Sequence, residues 1–390
     1  YGNAKPSQDQ SHLPVREQYT AEGHSVRACY LYSAMADLAK EFVDEKLLKA
    51  CEKLFVNISE KRMYITGGIG QSSVGEAFTI DYDLPNKTAY AETCAAISLA
   101  MFAHRMLSIQ ADSVYADTIE RVLYNGMLSG LSLDGRSFFY ENPLEIDPYL
   151  KNKNASIREE HRPHFPITQR VEVFSCSCCP PNVNRFLAYI GDYIYSKDQE
   201  TYFVHQFIQS EVQDGSIRIV QTTDYPNNGK VTIKTHNIEK LAIRIPGWCT
   251  DYTINADYTL KNGYAYLSNI TGDIEVYFNM EPTLIQASPF VQENCGRVAL
   301  QNGPIIYCLE EVDNGKYLRN IFLKENFNPT VAYDSYFGTN IITADGYRQS
   351  YTGHLYSPWK NKADKVRLKF IPYFSFANRG ESEMIVWIKI

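Results

Sequence analysis

The sequence predicts a multidomain α and β chain, with a helical region first and β-rich regions after it. Three observations carry this expectation. Five segments before about Tyr195 repeat their apolar residues every three or four positions, the period drops to two from about Thr201, and Asn-Gly, Asp-Gly and Pro-Gly pairs punctuate the later part. With 390 residues, 44% apolar and 21% charged, the chain can bury the cores of two or three domains.

A polar segment runs to about Thr20, and His24 to Phe42 and Asp44 to Arg62 then read as an antiparallel pair of amphipathic helices. Thr66 to Gly70, T-G-G-I-G, lacks the Walker lysine and the G-x-G-x-x-G spacing, so it reads as a turn. Beyond the Gly75-Glu76-Ala77-Phe78 loop, Thr88 to Leu107 is apolar and rich in small residues, the mark of a buried helix, and Asp112 to Leu131 forms another. A short strand at Phe138 to Tyr140 precedes a polar stretch, Asp147 to Thr168, whose Lys-Asn-Lys-Asn run suggests a solvated insertion. Asn182 to Tyr195 is the fifth and last helix. Strands are expected at Ile217 to Thr222, Lys230 to Thr235, Leu241 to Ile245, Asp273 to Phe278, Gly296 to Leu300, Lys365 to Ile371 and Glu383 to Ile390, built into β-sandwiches. A proline-marked break near Met280 to Ser288 divides them, giving regions 1–198, 199–284 and 285–390.

Composition narrows the function. A net charge of -7 argues against nucleic acid or an anionic membrane as partner. No apolar run is long enough to span a membrane and no signal peptide opens the chain, which begins at Tyr1, so targeting sequence does not decide the compartment. The 29 Tyr and 19 Phe suit carbohydrate recognition, where rings stack on sugar faces and hydroxyls bond sugar hydroxyls. Nine scattered cysteines, an odd number, do not look like a secreted disulfide framework.

The chemistry concentrates in Phe174 to Asn182, F-S-C-S-C-C-P-P-N, where Cys176, Cys178 and Cys179 fall within four positions. Neighbouring thiols bridge each other only with strain, so a soft metal or a reactive thiolate explains them better. The segment A-Y-A-E-T-C offers Glu92 and Cys94, a carboxylate and another sulfur, and together the two stretches supply four ligands of the kinds zinc accepts, three sulfurs and one oxygen. The plainer alternative is a group of buried free cysteines acting as small hydrophobes. On a regular helix Glu92 and Cys94 would point about 200° apart, so shared metal binding requires a helix end or a distorted turn there.

The motifs G-H-S-V-R-A-C-Y-L-Y-S-A-M-A-D-L-A, I-T-G-G-I-G, G-E-A-F, A-E-T-C, E-R-V-L-Y-N-G-M-L-S-G-L-S-L-D-G, F-F-Y-E-N-P-L-E, S-C-C-P-P-N, I-P-G-W, V-A-L-Q-N-G-P-I-I-Y-C-L-E and A-N-R-G-E-S-E-M-I-V-W follow one another from Gly23 to Ile390. In that order the chain resembles the zinc-dependent β-L-arabinofuranosidases of glycoside hydrolase family 127 and its relatives. The resemblance implies the second part of an (α/α)6 barrel followed by β-sandwich domains. It also implies a zinc cofactor on Glu92, Cys94, Cys178 and Cys179, with Cys178 as nucleophile and Glu76 as general acid/base. His24 and Tyr140 would line the pocket for an oligosaccharide or glycan substrate. Cys176 falls outside the ligand set, and Cys29, Cys51, Cys249, Cys295 and Cys308 read as core residues. Two alternatives stay open: a zinc-stabilised carbohydrate-binding or assembly module without catalysis, and a hydrolase of the same family for another glycoside. The β-domains either wall the site or mediate self-association.

Overall fold

A computed structural model describes residues 5–152, 155, 165–350, 353–358 and 362–390. It shows a helical region followed by two β-rich regions, and no helix of the described residues is long and apolar enough to cross a membrane.

The helical region is built on α1 (Ser25–Glu41), α2 (Glu45–Asn57), α3 (Thr93–Leu107), α4 (Ser113–Arg121) and α5 (Cys179–Ala188). Each buries the residues its periodicity selects: Ala28, Tyr32, Met35, Ala36 and Ala39 on α1, and Leu47, Ala50, Cys51, Leu54 and Phe55 on α2. Asp44 caps α2 by accepting from the Leu47 amide at 3.0 Å, and Asp112 caps α4 by accepting from the Val114 amide. The α3 helix is buried almost all round, and α1, α2 and α4 close one core over it.

Several boundaries differ from the expected ones. The third helix begins at Thr93, not Thr88, because the Ala91 amide bonds the Gly70 carbonyl at 2.8 Å and Ala91 takes φ 39°. The helical pattern after α4 continues as π turns at Val122–Met127. There Asn125 leaves the helix surface to bond the Pro304 carbonyl and the Ile306 amide of the C-terminal sheet. The fifth helix starts at Cys179, and a separate turn at Gly191–Ile194 replaces its expected last part. Phe138 makes isolated bridges to Leu131 and Val171 rather than a strand. Of the Lys-Asn-Lys-Asn run, Lys151 ends a 3-10 turn at Pro148–Lys151, whereas residues 153 and 154 lie outside the described residues.

The middle region is a sandwich. One sheet orders Tyr195–Lys197, Tyr202–Val204, Lys240–Arg244, Tyr264–Ser268 and Thr259–Lys261, and the facing sheet orders Ser210–Asp214, Ile217–Thr223, Lys230–His236, Ile274–Phe278 and Tyr252–Ile254. Alternate residues of both sheets, among them Ile219, Val231, Ile233, Leu241, Ile243 and Val276, share one core. Among the described residues, the strands of the C-terminal region join Glu145–Ile146 in one ten-stranded sheet in which Arg297–Asn302 pairs with both Ile305–Glu310 and Ile388–Lys389, so six strands close into a ring. Period-two alternation serves both faces: Val298, Leu300, Tyr307 and Leu309 fill the ring, while Ala299, Ile306 and Cys308 pack against Tyr64, Ala89 and Phe139 of the helical region.

Further contacts tie the β regions to the helical region. Arg244, fully buried, bonds Asp117 and Glu120 of α4 at 2.5 Å each, and Glu120 also accepts from Tyr225 at 2.5 Å and Trp248 at 3.0 Å. Glu145–Ile146 pairs with Met384–Ile385 of the C-terminal sheet, and Arg319 forms an ion pair with Glu145. The Tyr373 hydroxyl adds hydrogen bonds to the carbonyls of Asn142 and Pro143.

Candidate active site

Two helix N-termini meet at the cysteines. Glu92 is the N-cap of α3, with φ -59° and ψ 137°, and Cys94 sits in its first turn. Cys178 is the N-cap of α5 and Cys179 its first residue, followed by Pro180 and Pro181, which a first helical turn accepts because its amides have no helical acceptor. The non-helical backbone at Glu92 removes the conflict in direction that a regular helix would impose. Both helices also aim their positive ends at the cluster, which favours anions there.

The donor atoms of Glu92, Cys94, Cys178 and Cys179 all lie within 4.8 Å of one another. The sulfurs are 3.5 Å apart for Cys94 and Cys178, and 3.8 Å for each of them to Cys179; Cys178 lies 3.6 Å from Glu92 Oε1. A tetrahedral zinc site has S–S edges of about 3.8 Å and S–O edges of about 3.6 Å, from bonds near 2.3 and 2.1 Å, so the set fits this group. Glu92 Oε2 is buried with no hydrogen-bond partner among the described residues, an orphaned donor of the kind a cation satisfies.

Charge agrees with geometry. Burial, with Cys178 and Glu76 nearby, pushes the Glu92 carboxyl up to about 9. Cys94, hydrogen-bonded with Cys178 and Cys179, is drawn down to about 5. Cys179 is driven far up by its hydrogen bonds with Cys178 and Cys94 and by burial. The hydrogen bond with Cys179 pulls Cys178 down, but the one with Cys94 and burial outweigh it and leave the thiol raised. Four ionised donors would bring four negative charges together, a repulsion that a bound cation relieves.

Glu76 reaches the same cavity from a different segment. Its loop folds back through bridges from Ala77 to His24 and Ser72, and Gly75 and Glu76 both take left-handed backbone, φ 74° and 54°. That conformation strains a residue with a side chain and is held here by Ser25, whose hydroxyl bonds the Glu76 carbonyl at 3.1 Å. At Gly70, φ 83°, a Cβ would fall 2.6 Å from the same Ser25 hydroxyl, which explains one glycine of the T-G-G-I-G turn. His24 Nε2 stands 2.7 Å from Glu76 Oε2, and this hydrogen bond holds the Glu76 carboxyl below its ordinary value against the opposing effect of burial.

Tyr140 stacks on Phe174 at 5.0 Å and meets Tyr90 edge-on at 6.0 Å. Its segment is laid along the start of α3 by a bond from the Thr93 amide to the Tyr140 carbonyl and by the bridge between Glu92 and Glu141. Glu76, Glu92, Cys94, Cys178, His24 and Tyr140 therefore line one cavity of about 560 Å³, and Cys179 closes the cluster beneath it, fully buried. Cys176 is exposed on the cavity wall outside the donor set, and Cys295, expected in the core, is exposed as well. Sequence reasoning missed Arg27, Tyr30, Asn182 and Arg185, which also line the cavity. A spacing signal existed: Arg27 and Tyr30 follow His24 by three and six positions, and Asn182 and Arg185 follow Cys178 by four and seven.

Three models of one enzyme family match the chain end to end: the glycoside hydrolase family 127 β-L-arabinofuranosidase catalytic domain at residues 2–192, its middle domain at 201–275 and its C-terminal domain at 282–389. The chain belongs to glycoside hydrolase family 127. Among curated proteins, this family 127 chain is 35% identical, over 99% of its length, to a non-reducing end β-L-arabinofuranosidase of Bifidobacterium longum. Among solved structures it matches a family 127 β-L-arabinofuranosidase from Geobacillus stearothermophilus T6 with a TM-score of 0.93 and 43% identity over its whole length. Another family 127 β-arabinofuranosidase matches 98% of the chain with a TM-score of 0.85 and 35% identity. The chain spans 62% of the curated relative and 65% and 62% of the two solved chains.

Proposed function

We propose that the chain carries the catalytic site of a retaining glycoside hydrolase that releases β-L-arabinofuranose, or a related sugar, from plant-type glycans. The observation that carries this reading is the meeting of an ionisable pair, Glu76 and His24, with the Glu92, Cys94, Cys178 and Cys179 cluster in one cavity. A purely structural metal site, as in a binding or assembly module, needs no such pair beside it. The helices would form part of an (α/α)6 barrel within 1–198, with β-domains at 199–284 and 285–390.

In this reading Glu92, Cys94, Cys178 and Cys179 would hold zinc, which when bound keeps the thiols ionised at neutral pH and screens their charges from one another. The Cys178 thiolate attacks the anomeric carbon while the bond to the leaving oxygen breaks. Glu76 delivers to that oxygen the proton it shares with His24. In the second half Glu76 takes a proton from water, the water oxygen attacks the same carbon, and the carbon–sulfur bond breaks to restore the thiolate. Two inversions give retention, the outcome otherwise reached with a carboxylate nucleophile. Tyr140 and His24 flank the sugar.

The test is hydrolysis of an aryl β-L-arabinofuranoside by the chain and its Cys178→Ser and Glu76→Gln variants. Cys178→Ser is expected to abolish turnover with the fold retained, and Glu76→Gln to slow poor leaving groups most. Normal rates in either variant refute the assigned roles.

A further inference from the structure

A second cavity, of about 250 Å³, lies at the seam where the turn after α2 and the end of α4 meet the C-terminal sheet. Its size suits one ring rather than a chain of sugars. Tyr64, Tyr82 and Trp387 line it, and Phe290 stacks on Tyr82 at 5.2 Å, joining the two regions across the seam. Of the charged residues in its lining, Lys61 is paired with Asp81 at 3.3 Å and Glu60 is exposed. Arg121 is different. This last residue of α4 donates through Nη1 to the Ile65 carbonyl at 2.7 Å, which leaves Nε and Nη2 with no partner among the described residues. Both nitrogens keep access to solvent. Asp117 and Glu120 of the same helix do not serve them, because Arg244 binds both carboxylates.

Nε and Nη2 form one edge of the guanidinium, a fork whose parallel N–H groups match the two oxygens of a carboxylate. The flat aromatic faces beside it suit a ring. We propose that this cavity binds a small carboxylate carried on a single ring, a uronic acid or an aromatic acid, with the carboxylate on the free edge of Arg121 and the ring among Tyr64, Tyr82 and Trp387. The site is independent of the catalytic reading, since the two cavities share no lining residue. Arg121, Tyr64 and Tyr82 belong to the helical region and Trp387 to the C-terminal sheet, so the ligand bridges the seam. Binding should therefore raise the thermal midpoint.

The test is titration of the chain with galacturonate, benzoate, galactose and acetate, read by the fluorescence of its three tryptophans, Trp387 among them, and by the thermal midpoint. One of the two ring acids is expected to bind with a Kd of about 1 mM, ordinary for so small a ligand, and the tighter one identifies the source. Galactose lacks the carboxylate and acetate lacks the ring, so each should bind at least about tenfold more weakly. Arg121→Met should weaken the ring acid by at least about tenfold, and Arg121→Lys, which keeps the charge but not the fork, should weaken it less. Glu76→Gln should leave binding unchanged, because the catalytic cavity lies elsewhere. No saturation by either ring acid at about 20 mM overturns the proposal, and so does galactose or acetate binding as tightly as the ring acids. Undiminished binding in Arg121→Met overturns it as well, and if that variant does not fold, undiminished binding in Arg121→Lys does so in its place. Binding lost in Glu76→Gln would put the ligand in the catalytic cavity and overturn the assignment.

Discussion

Replacing Arg244 with methionine tests the link between the helical region and the sandwich. Arg244 is fully buried, and Glu120, its partner at 2.5 Å, is 2% exposed; the second partner, Asp117, remains 28% exposed. Removing one partner of a buried ion pair typically costs about 3–5 kcal/mol, because the other charge stays in a low dielectric. Tyr225 and Trp248 still donate to Glu120, so its carboxylate keeps two hydrogen bonds and the cost should lie near the lower end, about 3 kcal/mol. Adding Glu120→Gln removes the stranded charge and should recover most of that loss, about 2 kcal/mol. Urea unfolding followed by tryptophan fluorescence gives the three stabilities, and calorimetry should show the single variant's transition splitting as the sandwich loosens from α4. A loss under about 1 kcal/mol in Arg244→Met, or no recovery in the double variant, would refute the view that the guanidinium neutralises a buried carboxylate.

Loading the metal-free chain with zinc at pH 7 should release about three protons, since Glu92 is held up to about 9, Cys178 and Cys179 are raised, and only Cys94, near 5, is already ionised. Apparent affinity should then rise about a thousandfold per pH unit around neutrality; calorimetry in buffers of different ionisation enthalpy counts the protons, and fewer than one excludes this donor set. In the metal-free chain the raised Glu92 loses stability as pH climbs from its ordinary 4.5 toward 9, while the lowered Cys94 gains it from 5 toward its ordinary 9. The two trends oppose, so once the lowered His104 and His205 have ceased to titrate, thermal midpoints should stay nearly level from roughly pH 7 to 8.5. Glu76, held below 4.5 by His24, contributes stability that is complete above that value and disappears as pH falls through its lower folded value. Glu76 must hold a proton to serve as the acid of the first step, so His24→Ala, by removing the hydrogen bond that holds its carboxyl down, should move the alkaline limb of the kcat/KM profile to higher pH, and an unmoved limb would mean that Glu76 does not set it.

The helix pairs and most strands were legible because burial on one face writes a period into the sequence. What periodicity could not carry were the places where a distant partner redirects the backbone. Asn125 bends its helix into π turns to satisfy Pro304 and Ile306, and Ala91 delays α3 by bonding Gly70. The fifth helix is expected from Asn182, yet Pro180 and Pro181 sit in the first turn of α5, which moves its start back to Cys179. Ring closure in the C-terminal sheet depends on which strands pair, and strand pattern alone does not encode pairing. In the site, thiols and carboxylates announced themselves by type. Asn182 and Arg185 did not, because an amide and a guanidinium on an amphipathic helix look like ordinary surface residues until the fold turns them inward.

The pairing of Glu145–Ile146 with Met384–Ile385 bears on how the gene can be cut. Tyr140 lies only five residues ahead of that strand, and the intervening chain is held by the Tyr373 hydroxyl, by the Arg319 ion pair at Glu145 and by the bond from the Val386 amide to the Leu144 carbonyl. The C-terminal sheet is therefore no detachable appendage. Deleting it frees the strap that carries Tyr140 and bridges Glu92, so an excised helical fragment would keep the side chains of the proposed site and lose their alignment. Shortening this protein for engineering should begin at surface loops of the middle sandwich and leave both chain-distant partners of that strap in place.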